Sequence, residues 1–358
     1  DVERSRGLGD VYKRQESERL IYAIVQRYGL TEIVARLLIA RKVSIDDVER
    51  FLNPKVREEM PDPLSLVDMN VAVDRLVKAI KEHEVIGIFA DYDVDGATSS
   101  ALLKNYLDAL QIQNELYIPD RIKDGYGPNK KGLENLKNKG ASLILTLDCG
   151  VLAFDVLDEF YGEGGEIIVV DHHMAEPKLP NAVAVFNPNR LDDDSNLGNL
   201  AAVGVVFLLL VALTRALREI EWCTAKEEPE LLQWLDLVAI GTVCDVVELR
   251  GLNRAFVAQG LKVMTFQKNI GVKALRRAAG VDKKPDAYQL GFTIGPRINA
   301  AGRVGKAELG ARLLSCDDEI YAMEVSGLLE NQNNKRQQIE GMVCLLYTSD
   351  AADDMQCV

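Results

Sequence analysis

IFADYDVDGATSS, residues Ile88 to Ser100, decides how the chain is read: a short apolar run meets three aspartates at alternate positions and then a glycine. D-x-D-x-D-G opens a calcium-binding EF-hand loop, but that loop needs a bidentate glutamate at its twelfth position, which counted from Asp91 is Leu102. An EF-hand loop also follows a helix, whereas VIGIFA (Val85–Ala90) is apolar and partly β-branched and reads as a buried strand. Calcium storage or sensing is therefore excluded. The stretch is a strand running into an acidic turn and a helix.

Working outward, short apolar runs alternate with helical patterns. ATSSALLKNYLDAL is followed by ELYIP, KKGLENLKNKG, SLILTL, VLAFDVLDEFYG, EIIVV and AVAVF. That alternation predicts an α/β fold, a parallel sheet with helices on both faces. Residues 16–60 carry helical patterning and close in the proline-containing NPKVREEMPDP, a linker signal. After Leu200 the chain becomes almost wholly helical, and no internal repeat stands out.

A length of 358 residues with 47% hydrophobic and 27% charged residues fits a globular chain of about two domains and excludes a fibrous or disordered one. The longest apolar run, Leu200–Leu213, is shorter than the roughly 20 residues that cross a bilayer, and reads as a buried helix. Six scattered cysteines without C-x-x-C pairs argue against a disulfide or zinc framework, and a reducing cytoplasm is the expected setting. The net charge of −13 hides an asymmetry. Between Arg250 and Arg312 thirteen Lys and Arg face three Asp and Glu, a balance of +10 that leaves −23 elsewhere. Such a segment either solvates helix faces or tracks phosphates.

Three of the strands run into acid: VIGIFA into Asp91 and Asp93, SLILTL into Asp148, and EIIVV into Asp171, followed at once by His172 and His173. One aspartate after a strand is usually a turn former or cap. Three at the carboxyl ends of parallel strands converge on the crevice where open α/β sheets bind ligands. Like charges brought that close need a cation. Oxygen ligands with one imidazole suit Mn²⁺ or Mg²⁺ better than zinc, and Asp245, after an apolar helix, adds a ligand. Two such ions about 3.5 to 4 Å apart can hydrolyse phosphate esters. Gly96, before a helix expected near Thr98, and Gly150, before another, offer backbone N–H groups to phosphate.

The set ADYDVDGATSSALL, TLDCG, VVDHH, GTVCDVVEL and GPRINAAGRVG, in this order, resembles the DHH phosphoesterase superfamily and within it the RecJ single-stranded-DNA exonucleases, over roughly residues 16–343. GPRINAAGR and IPDRIKDGYG point to RecJ rather than to the small oligonucleotide or cyclic-dinucleotide phosphodiesterases. The resemblance implies that Asp91, Asp93, Asp148, His172 and Asp245 ligate two divalent ions, Mn²⁺ or Mg²⁺, with Asp148 as the bridge. It implies that His173 faces the scissile phosphate, that Asp171 orients a histidine, and that Asp95 caps or braces the loop. Arg297, Asn299 and Arg303 would contact the nucleotide backbone, and Arg121 would receive the 5′ phosphate, for which a planar guanidinium is apt. Cys149 invites a nucleophile reading, set aside because a metal-activated water already serves and no histidine partner is spaced for it.

The implied activity is 5′-to-3′ hydrolysis of single-stranded DNA in repair and recombination. The implied partners are single-stranded DNA, a single-strand-binding protein and a helicase, with a monomeric chain and no membrane. Two rivals are a DHH phosphodiesterase of short oligonucleotides or small phosphate esters and an inert RecJ-like replication scaffold. Many RecJ proteins carry histidine where this chain has Phe89, an expected loss of one metal ligand. The implied plan is a helical lead-in (16–65), the DHH catalytic domain (66–250), a basic helical part completing the core (251–322) and the start of a helix toward a missing DHHA1 domain (323–343). The ends, 1–15 and 344–358, resemble translated adaptor sequence and are expected to be non-native tails.

Overall fold

A computed structural model describes residues 17–222, 228–304 and 306–354, so the expected amino-terminal tail lies outside the described residues. The chain divides into two compact units between Glu59 and Met60. The first holds α1 (residues 17–28), α2 (Glu32–Ala40), α3 (Val48–Leu52) and α4 (Val56–Glu59). Ile21, Ile24, Ala35, Leu38 and Val48 form its core.

In the second unit α5 (Met69–Lys81) leads into β1 (Val85–Ala90), α6 (Val94–Ala109), β2 (Asn114–Tyr117), α7 (Lys130–Asn138), β3 (Ala141–Leu147), α8 (Phe154–Gly162), β4 (Glu166–Val170) and β5 (Ala184–Phe186). The strands form one parallel sheet in the order β2-β1-β3-β4-β5. Its strands read as continuous apolar runs because both faces are covered. Phe89, Ile144, Ile167, Val169 and Val185 pack with Leu133 and Leu136 of α7 and Leu157 and Phe160 of α8. Alternate residues, among them Ile88, Leu145 and Ile168, are equally buried on the opposite side. The chain leaves β1 for β2 on one side and returns to β3 on the other. This switch opens a crevice at the carboxyl ends of β1 and β3.

The rest is helical: α9 (Ala202–Glu219), α10 (Leu235–Cys244), α11 (Gly251–Met264), α12 (Ile270–Ala278), α13 (Ala287–Gln289), a π-helical turn (Leu290–Ile294), α14 (Gly295–Val304), α15 (Glu308–Leu314) and α16 (Glu319–Asp354). The apolar run from Leu200 is the buried first part of α9, and among the described residues no helix is long and apolar enough to cross a membrane. The last helix begins before residue 323 and continues past 343 to Asp354. Cys149, Cys244 and Cys316 are free thiols, while Cys223 and Cys357 lie outside the described residues.

Candidate metal centre

The strand register assembles the site. Ala90 pairs with Leu147, Leu147 with Val170, and Val170 with Phe186, so the next residue of each strand forms one row: Asp91, Asp148, Asp171 and Asn187. The row is held by ladder-like bonds in which the Asp91 N–H donates to Leu147 O (3.2 Å), Asp148 N–H to Val170 O (3.0 Å) and Asp171 N–H to Phe186 O (3.4 Å). Asp148 leaves its strand with φ of +59°, a left-handed conformation that Asp and Asn tolerate better than most residues.

Hydrogen bonds divide the row into two kinds of acid. Asp171 is saturated: it accepts from Val151 N–H (3.0 Å), His172 N–H (2.8 Å) and His173 N–H (3.2 Å), and bonds His173 Nδ1 at 2.7 Å. Burial alone would raise its pKa, but the bonds from His173 and Val151 hold it below the usual carboxylate range. Its bond in turn pushes the half-exposed His173 upward, so the histidine that Asp171 orients is His173. Asn187, fully buried, donates to His173 O at 2.8 Å, and Asn189 donates to His172 O, which fixes the DHH turn from the other side. Sequence reasoning missed both asparagines, although Asn187 follows AVAVF just as the aspartates follow their strands.

Asp91 and Asp148 are also buried, yet Asp91 Oδ1 and Asp148 Oδ1 have no hydrogen-bond partner. His172 Nε2 is likewise unpartnered, although it lies 3.2 Å from Asp148 Oδ1. Buried polar atoms are normally satisfied, because leaving one bare costs roughly 1 to 3 kcal/mol. Neighbouring ligands of an octahedral ion with bonds of about 2.1 Å stand about 3 Å apart, so the donor set and this spacing fit a hard divalent cation. Three groups meet within 4.8 Å: Asp91 with Asp93 and Asp148, Asp148 with His172 and His173, and Asp95 with His172 and Asp245. Asp148 and His172 each belong to two of them. Without a cation four of these acids bind protons more tightly than usual. Burial and then Asp93 push Asp91 up to about 7 and Asp245 up to about 6, and burial raises Asp95 and Asp148 well above the usual range.

The helices explain the remaining acids. Asp93 is the N-cap of α6, accepting from Asp95 N–H (2.8 Å) and Gly96 N–H (3.1 Å). This cap starts the helix at Val94, before the position near Thr98 expected from the sequence, and sets Gly96 in its first turn. There a Cβ would lie 2.3 Å from Asp91 O, which only glycine permits. Asp95 braces the site through α9: its carboxylate accepts from Ala202 N–H (2.6 Å) and Val203 N–H (3.0 Å) at that helix's start. Asp245 is the C-cap of α10, with Oδ2 3.7 Å from His172 Nδ1. Cys149 is fully buried and its thiol is pushed up by burial, which makes it a poor nucleophile.

Phe89 lies just upstream of this cluster. Its ring is fully buried against Tyr117, centroids 5.5 Å apart, and sits beneath Gly132 of α7, where a Cβ would approach to 2.5 Å. The side chain belongs to the α7 core.

On the open side, Arg121 lies over the Tyr92 ring at 5.1 Å, Tyr92 meets Tyr126 edge-on at 6.4 Å, and Tyr126 meets His173 at 6.1 Å. Arg121 is close enough to pull Asp91 down against burial. Helix α14 crosses beside this wall. A Cβ on Gly295 would press Cys244 Sγ at 2.5 Å, and one on Gly302 would lie 3.2 Å from Tyr92 O, so both glycines let α14 approach closely. Arg303 and the half-buried Asn299 carry no described hydrogen bond or ion pair. Arg297 instead pairs with Glu330 of α16 and donates to Thr293 O at 2.7 Å, so contact with a strand would require that pair to open.

Residues 85–242 match the family described as the DHH family, N-terminal domain. Over 320 residues the chain is 32% identical to the single-stranded-DNA-specific exonuclease RecJ of Bacillus subtilis, covering 89% of this chain and 39% of that protein. A crystal structure of exonuclease RecJ bound to manganese matches with TM-score 0.70 and 34% identity, over 80% of this chain and 69% of that one. RecJ of Thermus thermophilus in complex with Mn²⁺ matches at TM-score 0.75 and 30% identity, over 91% of this chain and 45% of that one, and has also been solved with Mg²⁺. The chain thus spans about two fifths of the curated Bacillus relative's length.

Proposed function

Because this chain belongs to the RecJ exonucleases of the DHH family, we propose that it hydrolyses phosphodiester bonds of single-stranded DNA from the 5′ end with Mn²⁺ or Mg²⁺. The observation that carries the reading is the in-register row of buried acids with orphaned oxygens on Asp91 and Asp148 beside an orphaned nitrogen on His172. Asp91, Asp93, Asp148, His172 and Asp245 would hold two ions, with Asp148 between them. A pair of divalent cations bound there supplies a hydroxide-like water at neutral pH and neutralises charge on the phosphate.

The chain's own groups do the rest. Asp171 keeps the His173 ring oriented through Nδ1, so that Nε2 can donate to a phosphate oxygen. Donation from Nε2 while Nδ1 donates to Asp171 takes the form with a proton on both ring nitrogens. Arg121, held over Tyr92, would receive the terminal 5′ phosphate, and Arg303 and Asn299 the following backbone. Arg297 would join them only on release from Glu330. A single-strand-binding protein and a helicase remain the proposed partners, and residues 66–250 and 251–322 the proposed catalytic domain and its basic completion.

The test uses 5′-labelled single-stranded DNA, duplex DNA and a dinucleotide, each with Mn²⁺ or EDTA, on this chain and on Asp148→Ala. Metal-dependent shortening of the single strand that Asp148→Ala abolishes is expected. Cleavage of the dinucleotide alone would favour a small-substrate phosphodiesterase, and no metal-dependent cleavage of any substrate would favour an inert scaffold.

A further inference from the structure

Tyr288 and Phe292 are 68% and 70% exposed, and their rings stack at 4.7 Å between centroids and 24° between planes. An i,i+4 aromatic pair on a helix surface adds little to the stability of that helix, which here runs without a break from α13 through the π-helical turn into α14. Two large apolar faces are thus left in water at one spot with little local return.

Their place in the fold is specific. Phe292 sits in the π-helical turn that leads into α14, a distortion frequent at functional sites. That turn is docked on the end of α10: a Cβ on Gly291 would touch Val243 at 3.5 Å, and Cys244 Sγ donates to Leu290 O at 3.4 Å. The next residue is the candidate ligand Asp245. The aromatic pair therefore stands on the structural unit that carries one side of the metal centre.

Exposed cations lie on either side of the pair along the chain. Lys283 and Lys284 precede it in a loop tied down through its carbonyls, which accept from Arg276 Nη2 (2.6 Å) and Gln289 Nε2 (2.9 Å). Arg303 and Lys306 follow it, and among the described residues none of these four cations has an ion-pair partner. Unpaired cations attract a phosphate backbone of any form, whereas open aromatic faces add stacking that requires unpaired bases. Duplex DNA hides its base faces, and an apolar protein partner would not call for the cations.

We propose that Tyr288 and Phe292 form a platform on which bases of the single strand stack while the flanking Lys and Arg side chains hold its phosphates. The proposal rests on the single-strand reading above and adds to it a source of selectivity against duplex.

The experiment compares wild type, Tyr288→Ala, Phe292→Ala and the double variant for binding in EDTA to a fluorescent oligothymidylate and to an abasic strand of equal length. Wild type is expected to favour the base-bearing strand, and the double variant to lose roughly tenfold on it until the two strands bind alike. Phe292→Tyr should keep the preference, separating stacking from damage to the turn. A double variant that keeps the wild-type preference overturns the platform while leaving the exonuclease reading intact. Equal weakening on both strands also overturns it. If wild type shows no preference for bases the platform is wrong, and whether the exonuclease reading fails with it is read separately from the cleavage assay.

Discussion

Replacing Asp148 with asparagine should make the metal-free protein more stable and the metal-bound protein less so. Asp148 shares a cluster with Asp91 and Asp93 in which the ligand atoms lie within 4.8 Å. At that separation two like charges repel by about 3.5 kcal/mol at an effective dielectric of about 20. The acids avoid part of this by holding protons, Asp91 up to about 7 and Asp245 up to about 6. The folded, metal-free state therefore binds more protons than the unfolded chain, and its stability falls as pH rises from about 4 through about 7. Near pH 8 the Asn variant should gain about 3 kcal/mol in EDTA, or about 4 °C in Tm for a chain of this size. Near pH 5, where Asp91 and Asp148 hold protons, the gain should shrink to what asparagine contributes by tolerating φ of +59°. That residue of the effect does not depend on pH, which separates it from the electrostatic part. At about a hundredfold excess over its Kd, Mn²⁺ should add about 2.7 kcal/mol to the wild type, and the variant should lose most of this. Scanning calorimetry at both pH values, with EDTA or Mn²⁺, reads all four numbers. A variant less stable than wild type in EDTA at pH 8, or one with the full Mn²⁺ shift, refutes the reasoning.

Gly96→Ala would drive a Cβ to 2.3 Å from Asp91 O, and displacing that backbone should cost at least about 2 kcal/mol and weaken the Mn²⁺ shift in Tm. Asp236, buried in α10 and away from the cluster, is pushed up to about 7 by burial, so its penalty is absent below pH 4 and complete above pH 7. Asp236→Asn should therefore match wild type in urea melts at pH 4 and exceed it at pH 8 by something on the order of 4 kcal/mol; equal stability at both would refute this. Arg121→Ala should remove any preference for a 5′-phosphorylated over a 5′-hydroxyl strand, a loss of tenfold or more for a charged hydrogen-bonded contact, and should leave both strands cleaved at similar rates.

Sequence alone determined the sheet and the acids at its edge. Strand and helix alternate with unambiguous periods from Val85 to Phe186, and a parallel sheet binds its ligands at the carboxyl ends of the strands, so Asp91, Asp148 and Asp171 could be assigned to one crevice before any coordinates. Spacing could not tell those three apart, because a carboxylate's role depends on which donors reach it. The fold sends four hydrogen bonds to Asp171 and none to one oxygen each of Asp91 and Asp148, and so separates the acid that orients His173 from two that present bare oxygens. The same limit applies to Phe89, whose ring the fold packs against Tyr117 and α7. It applies also to Arg297, whose partner Glu330 lies on a helix far along the chain. Periodicity is local and is written in the chain; the pairing of groups brought together from distant positions exists only once the chain has folded.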